Sequence, residues 1–385
     1  MGVKIPEGWV KSTIGEILTS GQLGSNYPNA LEYSDAPVIK MGNLGRGKIN
    51  LEKIEYLPSP EKPNELDRLH TGDILFNTRN TPELVGKVAV WRDELPVAYF
   101  NSNLMRLRFD DKLIASNYFA NYLFNSVEMI SRLSNIATGT TSVAAIYSRD
   151  LKKIEVLLPR LSEQLAIVKA MSDIDGLIEN FKSEILKKQN ILKGFMQSLV
   201  AGDYFRENSI TFEIEQIQNL PIEIQRGQLI TGTTKVEGNI PVIAGGISAA
   251  YFNNIANRFG TTITISASGA NAGFVNLWRS DIWASDCSTI GRSELYEILY
   301  IFYVLKEKEK ELFDAQYGGG QPHIRPKEIG EISIPWISKA NQKDLVVILE
   351  GFSKEIELLE TELAKYECIK QGMAHDLLTG KVRLV

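Results

Sequence analysis

The chain has 385 residues with a formal net charge of −5 at pH 7, and 44% of its residues are hydrophobic. This length predicts two or three domains, and the acidic balance argues against a protein that coats nucleic acid with clustered lysine and arginine. Two cysteines and three histidines argue against a disulfide framework and against a metal site. Without a run of about 20 apolar residues or the apolar core of a signal peptide, the expected location is the cytoplasm, with no membrane partner.

The first 158 residues predict a mixed α+β globular part. Apolar and polar residues alternate between glycine, asparagine and proline, as in "APVIKMGNLG" at 36–45, which indicates short strands and turns. A helix is predicted at 116–134. A loop of small and polar residues at 136–150 then leads to a last strand that ends at Pro159.

Residues 159–202 predict one long helix. Its apolar residues recur at alternating intervals of four and three over about five heptads, which is the seam of a coiled coil, with a polar break at Lys188. Gly202 follows the last seam residue, where a left-handed C-cap belongs, and Ser162 is the candidate N-cap. The seam residues are Ile167, Met171, Ile174, Ile178, Phe181, Ile185, Leu192, Phe195 and Leu199.

The second half of the chain repeats this plan. Residues 203–335 alternate in the same way, with a predicted helix at 294–314, a polar loop at 315–327 and a last strand that ends at Pro335. Residues 336–385 predict a second long helix. Its N-cap, polar break and C-cap are Ser338, Lys370 and Gly380, and its seam residues are Leu345, Leu349, Phe352, Ile356, Leu359, Leu363, Tyr366, Met373 and Leu377.

The two long helices align without a gap. Gln342 lies 178 residues after Gln164, and other residues match at the same shift. A seam that occurs twice in one chain favours two helices that pack on each other, whereas packing of each helix on its own globular part is the alternative. The loops before the helices align as well, and "YSRDLKKIEVLLP" set against "HIRPKEIGEISIP" pairs Arg149 with Arg325.

The string from Gly42 to Lys48 reads G-x-x-x-x-G-K, the start of a phosphate-binding loop. Ile49 replaces the Ser or Thr that would hold magnesium, and the following "INLEKIEYLP" alternates like a strand instead of opening a helix. A nucleotide hydrolase is therefore an alternative that the residues disfavour. The chain also lacks the Asn/Asp-Pro-Pro-Tyr/Phe string of amine methylases and the G-x-S-x-G of a nucleophile elbow, so we expect no catalysis.

The order of globular part, helix, globular part and helix resembles the specificity subunit of type I restriction–modification enzymes. "KIPEGWVKSTIGEI", "LPRLSEQLAIV" and "LLTGKVRL" are similar to phrases of that family, and the resemblance covers essentially all 385 residues. It implies an α+β fold with two target-recognition domains, each followed by a long helix, and an antiparallel coiled coil with pseudo-two-fold symmetry. The implied segments are a first target-recognition domain at 1–158, a central helix at 159–202, a second target-recognition domain at 203–335 and a C-terminal helix at 336–385.

The resemblance also implies a non-catalytic function. Each target-recognition domain would read one half of a split sequence in double-stranded DNA, and the chain would direct two adenine-methylating (methyltransferase) subunits and two motor-nuclease subunits to that site. S-adenosylmethionine, ATP and Mg²⁺ would be cofactors of those partners, with none in this chain. A coiled-coil scaffold without DNA preference is a further alternative.

The candidate DNA contacts are polar residues in matched loops of both halves. These loops combine glycine, which lets backbone approach a ligand, with side chains that read base edges, although each could also be a purely structural turn. Lys48 has no counterpart in the second half, which makes the turn around it a candidate for contacts specific to one half-site. The candidates are Asn43, Arg46, Lys48, Arg79, Asn80, Thr138, Thr140, Thr141, Ser142, Arg149, Ser268, Asn271, Gln316, Gln321, His323 and Arg325.

Overall fold

The chain forms two compact units in the computed structural model. The structure describes residues 5–28, 30–140, 142–230, 236–318 and 320–384. One unit comprises Met1–Asn180 with Leu363–Val385, and the other comprises Phe181–Glu362. Each unit thus contains one globular part and a segment of both long helices. The predicted domain boundaries after residues 158, 202 and 335 stay predictions.

Short strands make up most of the globular part of the first unit. Its strands are β1 (Val10–Thr13), β2 (Leu18–Leu23), β3 (Pro37–Ile39), β4 (Glu55–Tyr56), β5 (Ile74–Asn77), β6 (Arg79–Asn80), β7 (Val88–Val90), β8 (Tyr99–Phe100), β9 (Leu104–Phe109), β10 (Thr138–Gly139), β11 (Ala144–Ala145) and β12 (Glu155–Leu158), and its helices are α1 (Ile14–Ile17), α2 (Asn117–Phe124), α3 (Val127–Ile136) and α4 (Ser148–Leu151). The central sheet has the order β2-β9-β5-β7, and smaller sheets have the orders β4-β3-β8 and β10-β11-β6. Ile74 and Phe76 of the central sheet share a fully buried core with Phe124 of α2.

The second unit repeats the sheet order of the first. Its helices are α5 (Leu161–Ala201), which begins in the first unit, α6 (Asp203–Glu207), α7 (Ile298–Glu307), α8 (Glu309–Asp314), α9 (Pro326–Gly330) and α10 (Lys339–Leu378), which ends in the first unit, and its strands are β13 (Glu213–Gln216), β14 (Gln225–Arg226), β15 (Ile240–Ile243), β16 (Tyr251–Asn253), β17 (Thr262–Ser266), β18 (Val275–Trp278), β19 (Trp283–Ala284), β20 (Cys287–Ile290) and β21 (Ser333–Trp336). The sheets β14-β20-β17-β18 and β16-β15-β19 match β2-β9-β5-β7 and β4-β3-β8 strand for strand. The parallel pair β15·β19 also matches the parallel pair β3·β8. The predicted duplication of a mixed α+β globule is confirmed.

Both predicted long helices are present, with 41 residues in α5 and 40 in α10. Every predicted seam residue is buried or half-buried, which confirms the apolar face. Gly202 and Gly380 adopt left-handed φ angles of +80° and +71°, as expected for C-caps. Ser338 caps α10, because its hydroxyl accepts a hydrogen bond from the Asn341 amide at 3.3 Å. Ser162, in contrast, lies inside the first turn of α5 and is not its cap.

The two long helices run antiparallel within each unit. In the first unit the start of α5 shares a core with the end of α10, and Lys370 lies 2.5 Å from Asp175. In the second unit the end of α5 shares a core with the start of α10, and Lys188 lies 2.7 Å from Glu355. Each lysine that interrupts a seam is therefore paired with a carboxylate on the other helix. The coiled-coil geometry and the pseudo-two-fold symmetry stay predictions.

The glutamines that the helix alignment matches have the same role in both units. Gln164 and Gln342 are both 0% exposed. Each side-chain oxygen accepts a hydrogen bond from a backbone amide at 2.8 Å, and each side-chain amide donates to a carbonyl just before its helix. The repeat thus extends to buried polar contacts.

Each globular part is also held to a long helix by a tyrosine. In the first unit, Tyr122 of α2 donates to Asp175 at 2.8 Å and lies 3.4 Å from the hydroxyl of Ser172. In the second, Tyr303 of α7 makes the same two contacts with a glutamate at 2.7 Å and a serine at 2.9 Å on α10. Burial raises the pKa of each phenol to about 12, so both remain neutral donors at physiological pH.

The shorter predicted helices differ from the observed ones. The helix predicted at 116–134 is divided into α2 and α3, because Ser126 begins a new helix and its hydroxyl accepts a hydrogen bond from the Met129 amide at 3.2 Å. The helix predicted at 294–314 is likewise divided into α7 and α8 at Lys308. Apolar periodicity continues through such breaks, so the sequence pattern does not reveal them.

Two strand predictions also differ. The strand expected after Lys48 is reduced to the two residues of β4, with turns and irregular backbone before it. Pro335 lies inside β21 and not after it, whereas β12 ends before Pro159 as predicted. Among the described strands, β21 pairs only with β13, so the proline can occupy it without breaking a second ladder.

Candidate nucleic-acid interface

The segment from Gly42 to Lys48 is a hairpin turn. Leu44 and Ile49 form an antiparallel bridge, and the residues that follow are turns and irregular backbone as far as β4. The ammonium of Lys48 lies 2.5 Å from the carboxylate of Glu179 on α5. The segment therefore does not place phosphates at a helix N-terminus, which the disfavoured nucleotide-hydrolase alternative requires.

Asn43 holds this hairpin together. Its side chain is 4% exposed. The amide donates to the carbonyls of Asn50 and Lys53 at 3.0 and 2.9 Å, and the side-chain oxygen accepts from the Lys40 amide at 2.9 Å. Arg46 is exposed beside it, and its guanidinium donates to a backbone carbonyl at 3.4 Å. The bonds of Asn43 favour its structural alternative, while Arg46 stays at the surface.

The 136–150 loop folds into a small antiparallel sheet with the segment after β5. In this first loop sheet, formed by β10, β11 and β6, Thr138 faces Ala145, which in turn faces Arg79. Residues that are distant in sequence thus meet on one surface. The candidates in the sheet and its turn are Arg79, Asn80, Thr138, Thr140 and Ser142, while Thr141 lies outside the described residues.

The 315–327 loop forms the equivalent arrangement in the second unit. Tyr317 and Ser268 each form an isolated antiparallel bridge to His323, and we call this bridged arrangement the second loop sheet. In chain order of pairing, its residues take the places of Thr138, Ala145 and Arg79. The guanidinium of Arg325 stacks 4.0 Å from the centroid of the Tyr317 ring and pairs with a carboxylate of α9 at 3.2 Å. The second loop sheet is thus richer in aromatic side chains than the first.

The other candidates of the second unit surround its loop sheet. The Gln316 side chain donates to the carbonyl of Ala272 at 2.6 Å, which commits it to the backbone. Asn271 ends a single helical turn beside the sheet. Gln321 is exposed in the connecting turn, so its side chain points to a surface that a ligand can reach.

Arg149 and Arg325 are not structural equivalents. Arg149 is the second residue of α4, whereas Arg325 directly precedes α9. Counting from the starts of these two helices, Tyr147 matches Arg325 and Arg149 matches Lys327. Arg149 is 81% exposed and lies 3.5 Å from Asp150. The sequence alignment was wrong by two residues because it superposed the two prolines, one of which lies after its strand and the other inside it.

Two residues outside the predicted set lie beside the loop sheets. The backbone carbonyl of Asn103 accepts from the Thr78 amide at 3.1 Å, and that of Asp286 accepts from the Ala267 amide at 3.2 Å. The hydroxyl of Ser268 also donates to the Asp286 carboxylate. Only the pairing of β5 with β9 and of β17 with β20 places these residues here, so no local sequence signal could have identified them.

The candidate surface consists of hydrogen-bonding and charged side chains. Within the described ranges, no group of three or more His, Cys, Asp or Glu residues is arranged to hold a metal ion. No helix in the described part of the chain is long and apolar enough to cross a lipid bilayer.

Comparison with known proteins identifies the family. Residues 6–188 and 207–367 match the model of the type I restriction modification DNA specificity domain. The chain is 22% identical over 432 residues to the type I restriction enzyme MjaVIII specificity subunit of Methanocaldococcus jannaschii, with 100% of this chain and 95% of that protein covered. A second protein of that organism, provisionally named the MjaX type I restriction enzyme specificity subunit, is 25% identical over 412 residues, with 99% of this chain and 95% of that protein covered.

The fold is also similar to a solved structure. The crystal structure of a type I restriction–modification S subunit from M. genitalium superposes with a TM-score of 0.65 at 17% identity, over 98% of this chain and 97% of that one. This likeness covers both globular parts and both long helices. The chain belongs to the family of type I restriction–modification specificity subunits.

Proposed function

We propose that this chain is a non-catalytic subunit that recognises a bipartite DNA sequence and directs partner subunits to it. The observation that carries the proposal is the pair of loop sheets, which occupy the same place in the two units but present different side chains. Because the two loop sheets have the same place in the fold but different polar side chains, they are suited to contact two half-sites of different sequence.

The proposed partners follow from membership of the family. They are double-stranded DNA with a split site, two methyltransferase subunits that use S-adenosylmethionine, and two motor-nuclease subunits that use ATP and Mg²⁺, all acting on cellular DNA in the cytoplasm. The chain itself carries a net charge of −5. Much of the positive charge that contacts phosphates is therefore expected from the partners.

Methylation mapping tests this function directly. Adenine methylation is sequenced in a host that carries the chain and its methylating subunits, and a motif with two separated half-sites is the expected result. Replacing Gln321 or Arg325 by alanine, both in the second unit, should alter one half-site and leave the other unchanged. Methylation without a bipartite motif would contradict the proposal, and stable partner binding without sequence preference would support the scaffold alternative.

A further inference from the structure

Arg79 and Ser268 occupy equivalent positions in the two units, and so do Asn103 and Asp286. Each follows the inner strand of its central sheet by two residues, β5 for Arg79 and β17 for Ser268. Each lies beside a residue that directly precedes the neighbouring strand, Asn103 before β9 and Asp286 before β20. The backbone bonds that join the two segments are the same in both units, at 3.1 and 3.2 Å. The fold therefore presents the same two side-chain positions in each unit.

In the first unit this position offers hydrogen-bond donors. Arg79 is exposed. Its guanidinium makes no hydrogen bond or ion pair with the described residues, whereas its backbone amide donates to the side-chain oxygen of Asn77 at 3.2 Å and its backbone pairs with Ala145. A guanidinium presents five donors in a planar fork and no acceptor.

In the second unit the neighbouring position, that of Asp286, offers acceptors. Ser268 donates its hydroxyl to the carboxylate of Asp286, which uses one of about four lone-pair sites of that group. Asp286 is half-buried and forms no ion pair with the described residues. The turn after β15 lies close to this pair. A Cβ atom added at Gly245 would lie only 2.8 Å from the carbonyl oxygen of Ser268. The carboxylate is thus held in place with acceptor sites free.

We propose that Arg79 in the first unit and Asp286, at the neighbouring position in the second, each read one base pair. Arg79 donates to O6 and N7 of a guanine, and Asp286 accepts from the N4 amino group of a cytosine. The inference rests on the proposed function and names the bases that it leaves open. An arginine fork matches the two acceptors of guanine, and a carboxylate matches the donor of cytosine in the major groove. A carboxylate is repelled by phosphates, so Asp286 can contribute to DNA binding only through a base or through Ser268.

The test compares methylation motifs of matched variants in the assembled complex. Arg79→Ala should relax the first half-site at one G·C pair by about 5- to 150-fold in discrimination, the range of a good bidentate contact. Asp286→Asn keeps the shape and can still accept from Ser268, and it should relax the second half-site at one C·G pair by about fivefold or more. Arg108→Ala and Asp281→Asn, which replace exposed residues elsewhere on the same units, should leave the motif unchanged.

Several outcomes would overturn the inference. A wild-type motif that lacks a G·C pair in either half-site would contradict it. Methylation of the unaltered motif by Arg79→Ala and Asp286→Asn would also contradict it. Uniformly weaker methylation of all sites by Arg79→Ala would show a phosphate contact instead. If a variant methylates no DNA, binding of its complex to duplexes with each base pair substituted in turn decides the same question. A wild-type complex with no bipartite motif would contradict the proposed function itself.

Discussion

Among single residues, Glu163 connects the start of α5 to the C-terminal segment of the first unit. Its carboxylate is 3% exposed. It accepts hydrogen bonds from the guanidinium of Arg383 at 2.6 and 2.8 Å and from the indole of Trp9 at 3.2 Å. Burial raises the pKa of Glu163, but the hydrogen bonds and charge of Arg383 together with the Trp9 bond outweigh burial and lower it overall. The ionised form therefore stabilises the fold.

We expect Glu163→Gln to lower the free energy of unfolding by about 1.5–3 kcal/mol near pH 7, because bonds to a charged acceptor are lost. A carboxyl group with a lowered pKa contributes its stability above the ordinary value of 4.5, and that contribution disappears as the pH falls below it. Urea unfolding at several pH values should therefore show the gap between wild type and variant closing in acid. Asp173→Asn, at an exposed ion pair, is the control and should change little. An unchanged pH dependence in Glu163→Gln would contradict this account.

Sequence reasoning reaches only some of these residues. Gln164 and Gln342 could be matched because both lie in continuous helices. Glu163 and Arg383 are separated by 220 residues, so their ion pair has no local signal. The role of Asn43 could not be predicted for a different reason. The residue types that contact DNA also stabilise turns, so the sequence does not distinguish the two roles.

Among the elements, the glycines of α5 distinguish a helix interior from a helix end. Gly194 lies inside α5, and open space surrounds the position of an added Cβ. Gly202 has φ of +80°, and an added Cβ would lie 2.7 Å from the ring of Phe212. The same substitution is therefore tolerated at one glycine and strained at the other.

We expect Gly194→Ala to raise the free energy of unfolding by about 0.5–1 kcal/mol, because alanine loses less backbone entropy in a helix. Gly202→Ala should lower it by about 1 kcal/mol or more, because the left-handed backbone strains an alanine. Urea unfolding of the two variants measures both effects. Changes of the same sign would contradict the C-cap assignment.

The long helices could be predicted almost completely, since a seam and a terminal glycine are local properties, although the cap of α5 is not Ser162 as predicted. The predicted span of 159–202 differs from the observed α5 by two residues at its start and one at its end. The predicted span of 336–385 exceeds α10 by three residues at its start and seven at its end. The globular parts could be predicted only in outline. Their loop sheets depend on pairing between strands that are far apart in the chain, which no periodicity encodes.

For the molecule as a whole, the net charge of −5 limits what the isolated chain can do with DNA. We expect the chain alone to bind a duplex with the methylated motif only in the nonspecific range, with a Kd of about 10⁻⁴–10⁻⁶ M at physiological salt. The complex with methylating subunits should bind at least about 10³-fold more tightly. Fluorescence anisotropy of a labelled duplex measures both affinities, and a duplex with one scrambled half-site is the control. Equal affinities of the isolated chain and of the complex would show that the chain contacts phosphates without positive charge from its partners.

At this scale the sequence predicted the duplication and the family, because both are carried by whole segments. It could not predict which bases are read. The proposed base contacts include pairs such as Ser268 with Asp286, whose members are brought together only by the folded sheet.

The tyrosines that attach the globular parts to the long helices also record how the two copies diverged. At the shift of 178 residues, Ser172 aligns with Glu350 and Asp175 aligns with Ser353, so a comparison of residues counts two mismatches. Yet each tyrosine keeps one hydroxyl and one carboxylate as partners. The copies have exchanged the places of these partners and retained the bonds. The joint between globular part and helix is thus defined by its set of donors and acceptors and not by the identity of the residue at each place.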